Sequence, residues 1–252
     1  MKLSQKIFYG LKIFKVLKNP WTYAYDYFKL KKKDLIFKLR KYNLKLIIRP
    51  QTYDRAVFGE VFLFEEYPLK VSKKEMIIID VGAHIGFFTL YAKRLFPNST
   101  IYSFEPDKQN FSYLNKNLNL NKIKGVKSFN LAVSNSDNKI DFYLSEHNVG
   151  HSTHKTKDSK KISIDSISFT SIIKENKINW VDILKVDIEG GEYDLFYNLN
   201  KNVLKKVNLI LLEWHNLDKD KNNWKELKKY LISKGFKVRK YKNYLYCKNV
   251  SK

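Results

Sequence analysis

Cysteine is almost absent: Cys247 is the single one in 252 residues. No intramolecular disulfide framework can staple the chain, and this usage fits a reducing compartment. Glycine and proline, at nine and five residues, are too few for a collagen-like or low-complexity chain. No apolar run approaches the roughly eighteen residues that span a bilayer. No secretory leader is legible either, because Lys6, Lys12, Lys15 and Lys18 break every apolar stretch near Met1. A soluble, cytoplasmic protein is expected.

Acidic residues are the other scarcity, 25 against 48 Lys and Arg, which leaves a net charge of +23. The imbalance is concentrated: residues 1–50 hold fourteen Lys or Arg against Asp26 and Asp34, or +12. Such a patch favours anionic partners, whether nucleic acid, acidic lipid headgroups or an acidic glycan. A Lys- and Asn-rich composition that only keeps the protein soluble explains the charge equally well, since charge speaks to association and not to fold. Core material is plentiful. With 44% hydrophobic and 15% aromatic residues, the chain can bury a core and is not disordered.

Residues 3–18 place Leu3, Ile7, Leu11 and Phe14 at helical spacing among lysines, and Pro20 is expected to stop that helix. A basic amphipathic helix can lie in an anionic membrane interface, here the inner membrane face, or dock its apolar stripe on the rest of the chain or a second subunit. A second helix is expected over 28–42. The expected division is a basic helical extension over 1–43 and one domain over 44–252. Short strands or strand–turn pieces are expected at 44–49 and 57–64. Strands at 76–80, 100–104, 126–133, 183–186 and 207–212 then alternate with helices at 86–95, 107–118 and 168–175, with a further helix after Gly191. An antiparallel piece at 140–144, a helix at 224–233 closing at Gly235 and a hairpin over 236–247 complete the pattern, which is that of a doubly wound, mostly parallel α/β sheet. Asp107 is a natural N-cap.

Three segments sit at successive strand ends of that sheet: Asp80-Val-Gly-Ala-His-Ile-Gly86, Phe104-Glu105-Pro106 and Asp187-Ile-Glu-Gly-Gly-Glu192. Open α/β sheets bind ligands in the crevice at the carboxyl ends of their strands, so a nucleoside-bearing cofactor is expected. The first turn has only Gly82 and Gly86, and His84 stands where a dinucleotide site would need a glycine beside the pyrophosphate. A single adenosyl group with an amino-acid tail fits better. Asp80 is expected to accept a hydrogen bond from the tail's ammonium, directly or through water, and Glu105 to accept the ribose hydroxyls. Ala132, near the end of the third strand, completes the cofactor set.

These residues resemble the FkbM-type, S-adenosylmethionine-dependent methyltransferases. The resemblance runs through Ile79 to Thr89, Ser103-Phe-Glu-Pro106, Asn148-Val-Gly-His-Ser152, Ile183 to Glu192 and Glu213-Trp-His215, with Arg49 to Asp54 and Tyr67 as a lead-in. It covers about residues 45–220. The family usually has Asn where His84 stands, and often Leu-Asp where Phe169-Thr170 stands. The resemblance implies a seven-stranded class I methyltransferase fold, S-adenosylmethionine as cofactor, and methyl transfer to a hydroxyl of a sugar or natural product.

In such a displacement the donor is already activated, which leaves positioning and removal of the hydroxyl proton to the protein. Asp187 is the expected substrate-orienting or proton-accepting group, or a metal ligand. His215 is a second candidate base, with Glu213 to orient it or to bind substrate. One of Glu189 and Glu192 is expected to cap the helix that follows. His147, His151 and His154 cluster within 145–161, but without cysteine or three defined ligands no metal is expected there; Ser152 is the better match to the family. Asn98-Ser-Thr100 is a glycosylation sequon by pattern only. The acceptor expected is a glycan or lipid-linked saccharide. The alternatives are RNA 2′-hydroxyl methylation, for which no nucleic-acid motif is present, and a non-catalytic module that docks on a membrane or partner.

Overall fold

The computed structural model describes residues 3–72, 74–144 and 160–251. Its first helices are α1 (Leu3–Val16) and α2 (Trp21–Tyr27). The helix expected over 28–42 does not form. Instead β1 (Leu35–Lys38) pairs antiparallel with β2 (Lys45–Ile48), Leu35 opposite Ile48. The reason is a period of two: Leu35, Phe37 and Leu39 point inward while Ile36, Lys38 and Arg40 face water. The strand expected at 57–64 is also corrected. Residues 54–58 form α3 (Asp54–Phe58), and Gly59–Leu63 is a π-helical turn. Phe58, Val61 and Phe62 fall on one buried face at helical spacing, an ambiguity that a short apolar run cannot resolve by periodicity alone.

The doubly wound unit then follows the expected order. β3 (Ile77–Val81), α4 (Phe87–Leu95), β4 (Thr100–Phe104), α5 (Lys108–Leu120) and β5 (Val126–Phe129) make its first half. The second half is α6 (Phe169–Glu175), β10 (Val181–Val186), α7 (Glu192–Tyr197), α8 (Lys201–Leu204), β11 (Val207–Glu213), α9 (Trp224–Ser233), β12 (Phe236–Tyr241) and β13 (Tyr244–Asn249). Strand order is β5–β4–β3–β10–β11–β13–β12. The strands pair in parallel except β13, which runs antiparallel to both neighbours. The order reverses between β3 and β10, where such sheets place their ligand crevice.

The expected third strand, 126–133, splits in two. After β5, the Asn130 amide donates to the carbonyls of Glu105 and Pro106 at 2.9 and 2.8 Å. The chain leaves the sheet there, and β6 (Ala132–Ser134) pairs in parallel with β9 (Ser166–Ser168). Between them β7 (Ile140–Leu144) and β8 (Lys160–Ile164) form an antiparallel pair. Helix ends follow their capping chemistry: the Asp107 carboxylate accepts from the Asn110 amide, and Ser168 from Ser171.

Helices cover both faces of the sheet. On one face α4 and α5 share a core with the N-terminal elements, where Leu17, Phe37, Leu46 and Phe58 are fully buried beside Phe87. On the other, α6, α7 and α9 pack on β10 and β11. A division at residue 43 would cut between the two strands of the β1–β2 hairpin. Phe37→Ala should therefore cost the whole protein about 3–5 kcal/mol, seen as one shifted transition in urea. A separate early transition, with the main one unmoved, would show that the hairpin folds apart from the sheet.

Candidate active site

The turn after β3 is shaped by its neighbours in the protein. Gly82 has φ +77°, and a Cβ there would lie 1.8 Å from the Asp187 carbonyl oxygen; no other residue allows β3 and β10 to end so close together. Gly86, at φ +87°, leaves room for Leu114 of α5, which an added Cβ would meet at 2.4 Å. Gly82 lines a cavity of about 650 Å³ at the strand ends, within the size range of ligand pockets. Gly86 lies behind it, at the start of α4.

Glu105, His84, Ala132 and Asp187 line the same cavity. Glu105 is 5% exposed. Its Oε2 accepts the His84 amide at 2.8 Å, and its Oε1 the Asp107 amide at 3.0 Å and the Asn110 side chain at 3.3 Å. Burial pushes this carboxyl up to about 7. The wall around it thus offers a buried acceptor served only by neutral N–H donors, which fits the hydroxyls of a ribose. Ala132, Val133 and Phe142 give the apolar wall an adenine ring needs.

Asp80 lies beneath the turn, fully buried and off the cavity wall. Its Oδ2 accepts the Thr89 hydroxyl at 2.6 Å, and Oδ1 is 3.4 Å from the Lys185 ammonium. Lys185 also donates to the Gly82 carbonyl at 2.6 Å and is 3.6 Å from Asp187. Burial works against its charge, but Asp80 and Asp187 outweigh it and hold the ammonium above its ordinary value. Lys185 carried no separate signal in the sequence beyond its place in the Asp187 segment.

His84 is fixed by Arg49 and Asp54, both from the lead-in segment. Arg49 is bidentate on Asp54, with its Nε 2.9 Å from Oδ2 and its Nη2 2.7 Å from Oδ1. The same Nη2 is 3.2 Å from His84 Nε2. A guanidinium only donates, so Nε2 is the acceptor and the ring proton sits on Nδ1. Burial pushes His84 down to about 4, which keeps the ring neutral.

At the far side of the turn, His215 is held between two carboxylates. Its Nδ1 is 3.0 Å from Glu192 Oε1, and its Nε2 is 3.2 Å from Glu189 Oε2. Burial disfavours the charged ring, but Glu192 and Glu189 prevail and push it up to about 10. In this arrangement His215 is an imidazolium with both nitrogens engaged, so it has no lone pair to take a proton. Fully buried Glu192 also accepts the Ile188 amide at 3.2 Å, latching the turn before α7. Asp187, Glu189 and His215 each bring one ligand atom within 4.8 Å of the others. That set could hold a divalent cation, although a proton on His215 already satisfies it. The histidines at 147, 151 and 154, and Ser152, lie outside the described residues.

Sequence reasoning missed Glu60, which the π-helical turn presents to the cavity wall. Burial, then the charge of Asp187, pushes its carboxyl up to about 8. Glu213, at the end of β11, is carried up to about 9 by burial and then by Asp187 and Glu60; it sits behind the cavity wall beside Tyr244.

Comparison with known proteins shows what the chain resembles. Residues 80–238 match the family described as the Methyltransferase FkbM domain, more than half of the chain. Methyltransferase 1 of Beauveria bassiana is 28% identical, over 72% of this chain and 80% of its own length. The hexuronic acid methyltransferase AglP of Haloferax volcanii is 26% identical, over 58% of this chain and 59% of its own. The crystal structure of a methyltransferase FkbM from Methylobacillus flagellatus superposes with a TM-score of 0.49 at 17% identity, over 73% of this chain and 46% of that one.

Two outcomes test the site. Gly82→Ala should abolish ligand binding at the strand ends while circular dichroism still reports a folded sheet; calorimetry showing unchanged binding would contradict the crowding argument. Glu105 gives a pH signature. Between about pH 4.5 and 7 its native carboxyl keeps a proton that the unfolded chain has released. Its contribution to stability therefore falls as pH rises through that window, by on the order of 2 kcal/mol. Glu105→Gln should flatten that fall in denaturation curves at pH 5 and 7.5, and an equally steep fall in the variant would place the titrating group elsewhere.

Proposed function

The chain belongs to the FkbM methyltransferase family and is an S-adenosylmethionine-dependent methyltransferase; from that premise we propose that it methylates a hydroxyl of a glycan or lipid-linked saccharide. The observation that carries this reading is the division of one cavity between two kinds of acceptor. Glu105 lies among neutral donors on one wall, while Glu60, Asp187 and Glu189 gather on another. A saccharide presents several hydroxyl donors in a small volume, and clustered carboxylates are their natural acceptors.

In this reading Glu105 holds the ribose hydroxyls, and Ala132, Val133 and Phe142 enclose the adenine. Gly82 leaves its backbone open beside the aminoacyl tail, while Asp80 acts through Lys185 to keep that turn in place. S-adenosylmethionine, when bound, supplies a methyl on a sulfonium. The protein's own tasks are to aim the acceptor hydroxyl and to accept its proton. Asp187 is the group we assign to both. Glu60, poised near neutral pH by burial, is the second proton acceptor within reach of the same wall. His215, already protonated, serves instead as a clamp on Glu189 and Glu192, which positions the segment that carries Asp187.

An RNA acceptor is disfavoured by charge. Six carboxyl groups and two lysines line the cavity; even with Glu60 and Glu105 protonated, the acids outnumber the lysines by four to two, so a phosphate backbone entering it would meet net repulsion. A saccharide with one acid group would not, since Lys221 stands on the wall to meet it. AglP, named for its action on hexuronic acid, makes uronic acids the first acceptors to try.

The expected result is transfer of labelled methyl from S-adenosylmethionine to uronic-acid glycans or lipid-linked saccharides. Asp187→Ala should lower kcat by about 10²–10⁴-fold with donor affinity changed only a few-fold. Transfer to RNA and not to saccharides, or full activity in Asp187→Ala, would refute the assignment.

A further inference from the structure

The outer surface of the N-terminal helices is unlike the rest of the molecule. Trp21, Tyr25 and Phe28 recur at helical spacing along one face of α2 and its C-terminal cap, and none of them is buried. Trp21 is 67% exposed, Phe28 65%, Leu30 64% and Leu11 61%. The patch is continuous from α1 to α2, because the Phe14 and Trp21 rings meet edge to face at 5.7 Å. Around it stand exposed lysines, Lys15, Lys18, Lys29 and the run from Lys31 to Lys33.

Carboxylates balance them only weakly. Of the two acids in residues 1–50, Asp26 is 4% exposed and pairs with Arg55 at 3.6 Å. Asp34 receives the Tyr113 hydroxyl at 2.8 Å. The exposed surface is therefore both apolar and strongly cationic, with Asp34 its one exposed acid among residues 1–50, and each property restricts what can cover it. A second copy of the chain would set one row of lysines against another. A nucleic acid would satisfy the lysines and stack on the aromatics, but it offers nothing to Leu11, Leu30 and the 40% exposed Ile36. A bilayer with anionic headgroups satisfies both. Aromatic and aliphatic side chains enter the headgroup–acyl boundary, and each lysine gains from the surface potential.

We propose that the α1–α2 surface docks this protein on an anionic lipid membrane. The orientation suits the cavity. α2 packs on α3 through Tyr23 and Phe58, whose rings are 6.3 Å apart, and Lys12 of α1 donates to the Leu63 carbonyl of the π-helical turn. Val57, Glu60 and Val61 of that same layer line the cavity. The docked face is thus the outer side of the layer whose inner side forms the cavity wall. The proposal goes beyond the acceptor reading and does not rest on it, since membrane contact needs neither donor nor acceptor.

Cosedimentation of the full chain with phosphatidylglycerol-containing vesicles, against pure phosphatidylcholine, tests it directly. Two variants leave the cavity untouched: Trp21→Ser with Phe28→Ser, and Lys31→Glu with Lys32→Glu and Lys33→Glu. The wild-type protein should partition at least tenfold more strongly onto the anionic vesicles and release as salt rises. Each variant should lose most of that partitioning while its S-adenosylmethionine affinity, read by calorimetry, stays unchanged. A wild-type protein that remains in the supernatant overturns the proposal. So does binding that both variants retain, a dimer that the Trp21/Phe28 variant dissolves, or binding to RNA without binding to vesicles.

Discussion

A single buried ammonium, Nζ of Lys185, holds the strand ends in register. It reaches Asp80 and the Gly82 carbonyl on β3 and Asp187 beyond β10, across the position where the sheet order reverses. Asp80 is fully buried; without this cation it would be an uncompensated charge, a defect that costs about 3–5 kcal/mol. The contact also explains why the turn can be so tight. Gly82 lies against the Asp187 backbone, and Lys185 ties together the two segments that approach there. The cavity, the ribose-facing Glu105 and the acceptor-facing Asp187 all take their positions from that closure.

Around this tie the charges are sorted in an unusual way for so basic a chain. About half of the surplus of basic residues lies in residues 1–50, while carboxylates gather along the cavity wall. Burial and mutual repulsion lift Glu60 and Glu213 far above the ordinary carboxylate range. Near their rim stand Lys185 and the His215 imidazolium, the latter held by Glu189 and Glu192. A sulfonium-bearing donor is favoured in such a field, and a polyanion is not. The same sorting lets an exterior suited to anionic surfaces coexist with an interior suited to hydroxyl donors.

The sheet and its strand-end segments were legible because parallel strands buried on both faces read as predominantly apolar runs, each closed by a short polar motif. Val181–Val186 followed by Asp187, and Thr100–Phe104 followed by Glu105, are of this kind. The N-terminal segment was not legible in the same way. Lys31 to Lys33 hide the two-residue alternation that begins at Leu35, and Val57 to Phe64 is apolar except for Gly59 and Glu60, so strand and helix give the same pattern. Glu60 was lost with that second misreading, since only a helical turn brings it to the cavity. The state of His215 was hidden for a different reason: its partners Glu189 and Glu192 are near in sequence to Asp187, not to His215. Their effect on the ring depends on how β10 and β11 are paired. Asp80 was placed in the right turn but not at the right depth, because a motif records order along the chain and not which side chain the turn covers.

The claim on which all of this turns is that one cavity joins Glu105 to Asp187 around an adenosyl donor. A crystal structure with S-adenosylhomocysteine tests it most directly. The account predicts both ribose hydroxyls bonded to the Glu105 carboxylate, with the sulfur directed toward Asp187. A nucleoside lodged elsewhere, or a ribose that leaves Glu105 untouched, would contradict it.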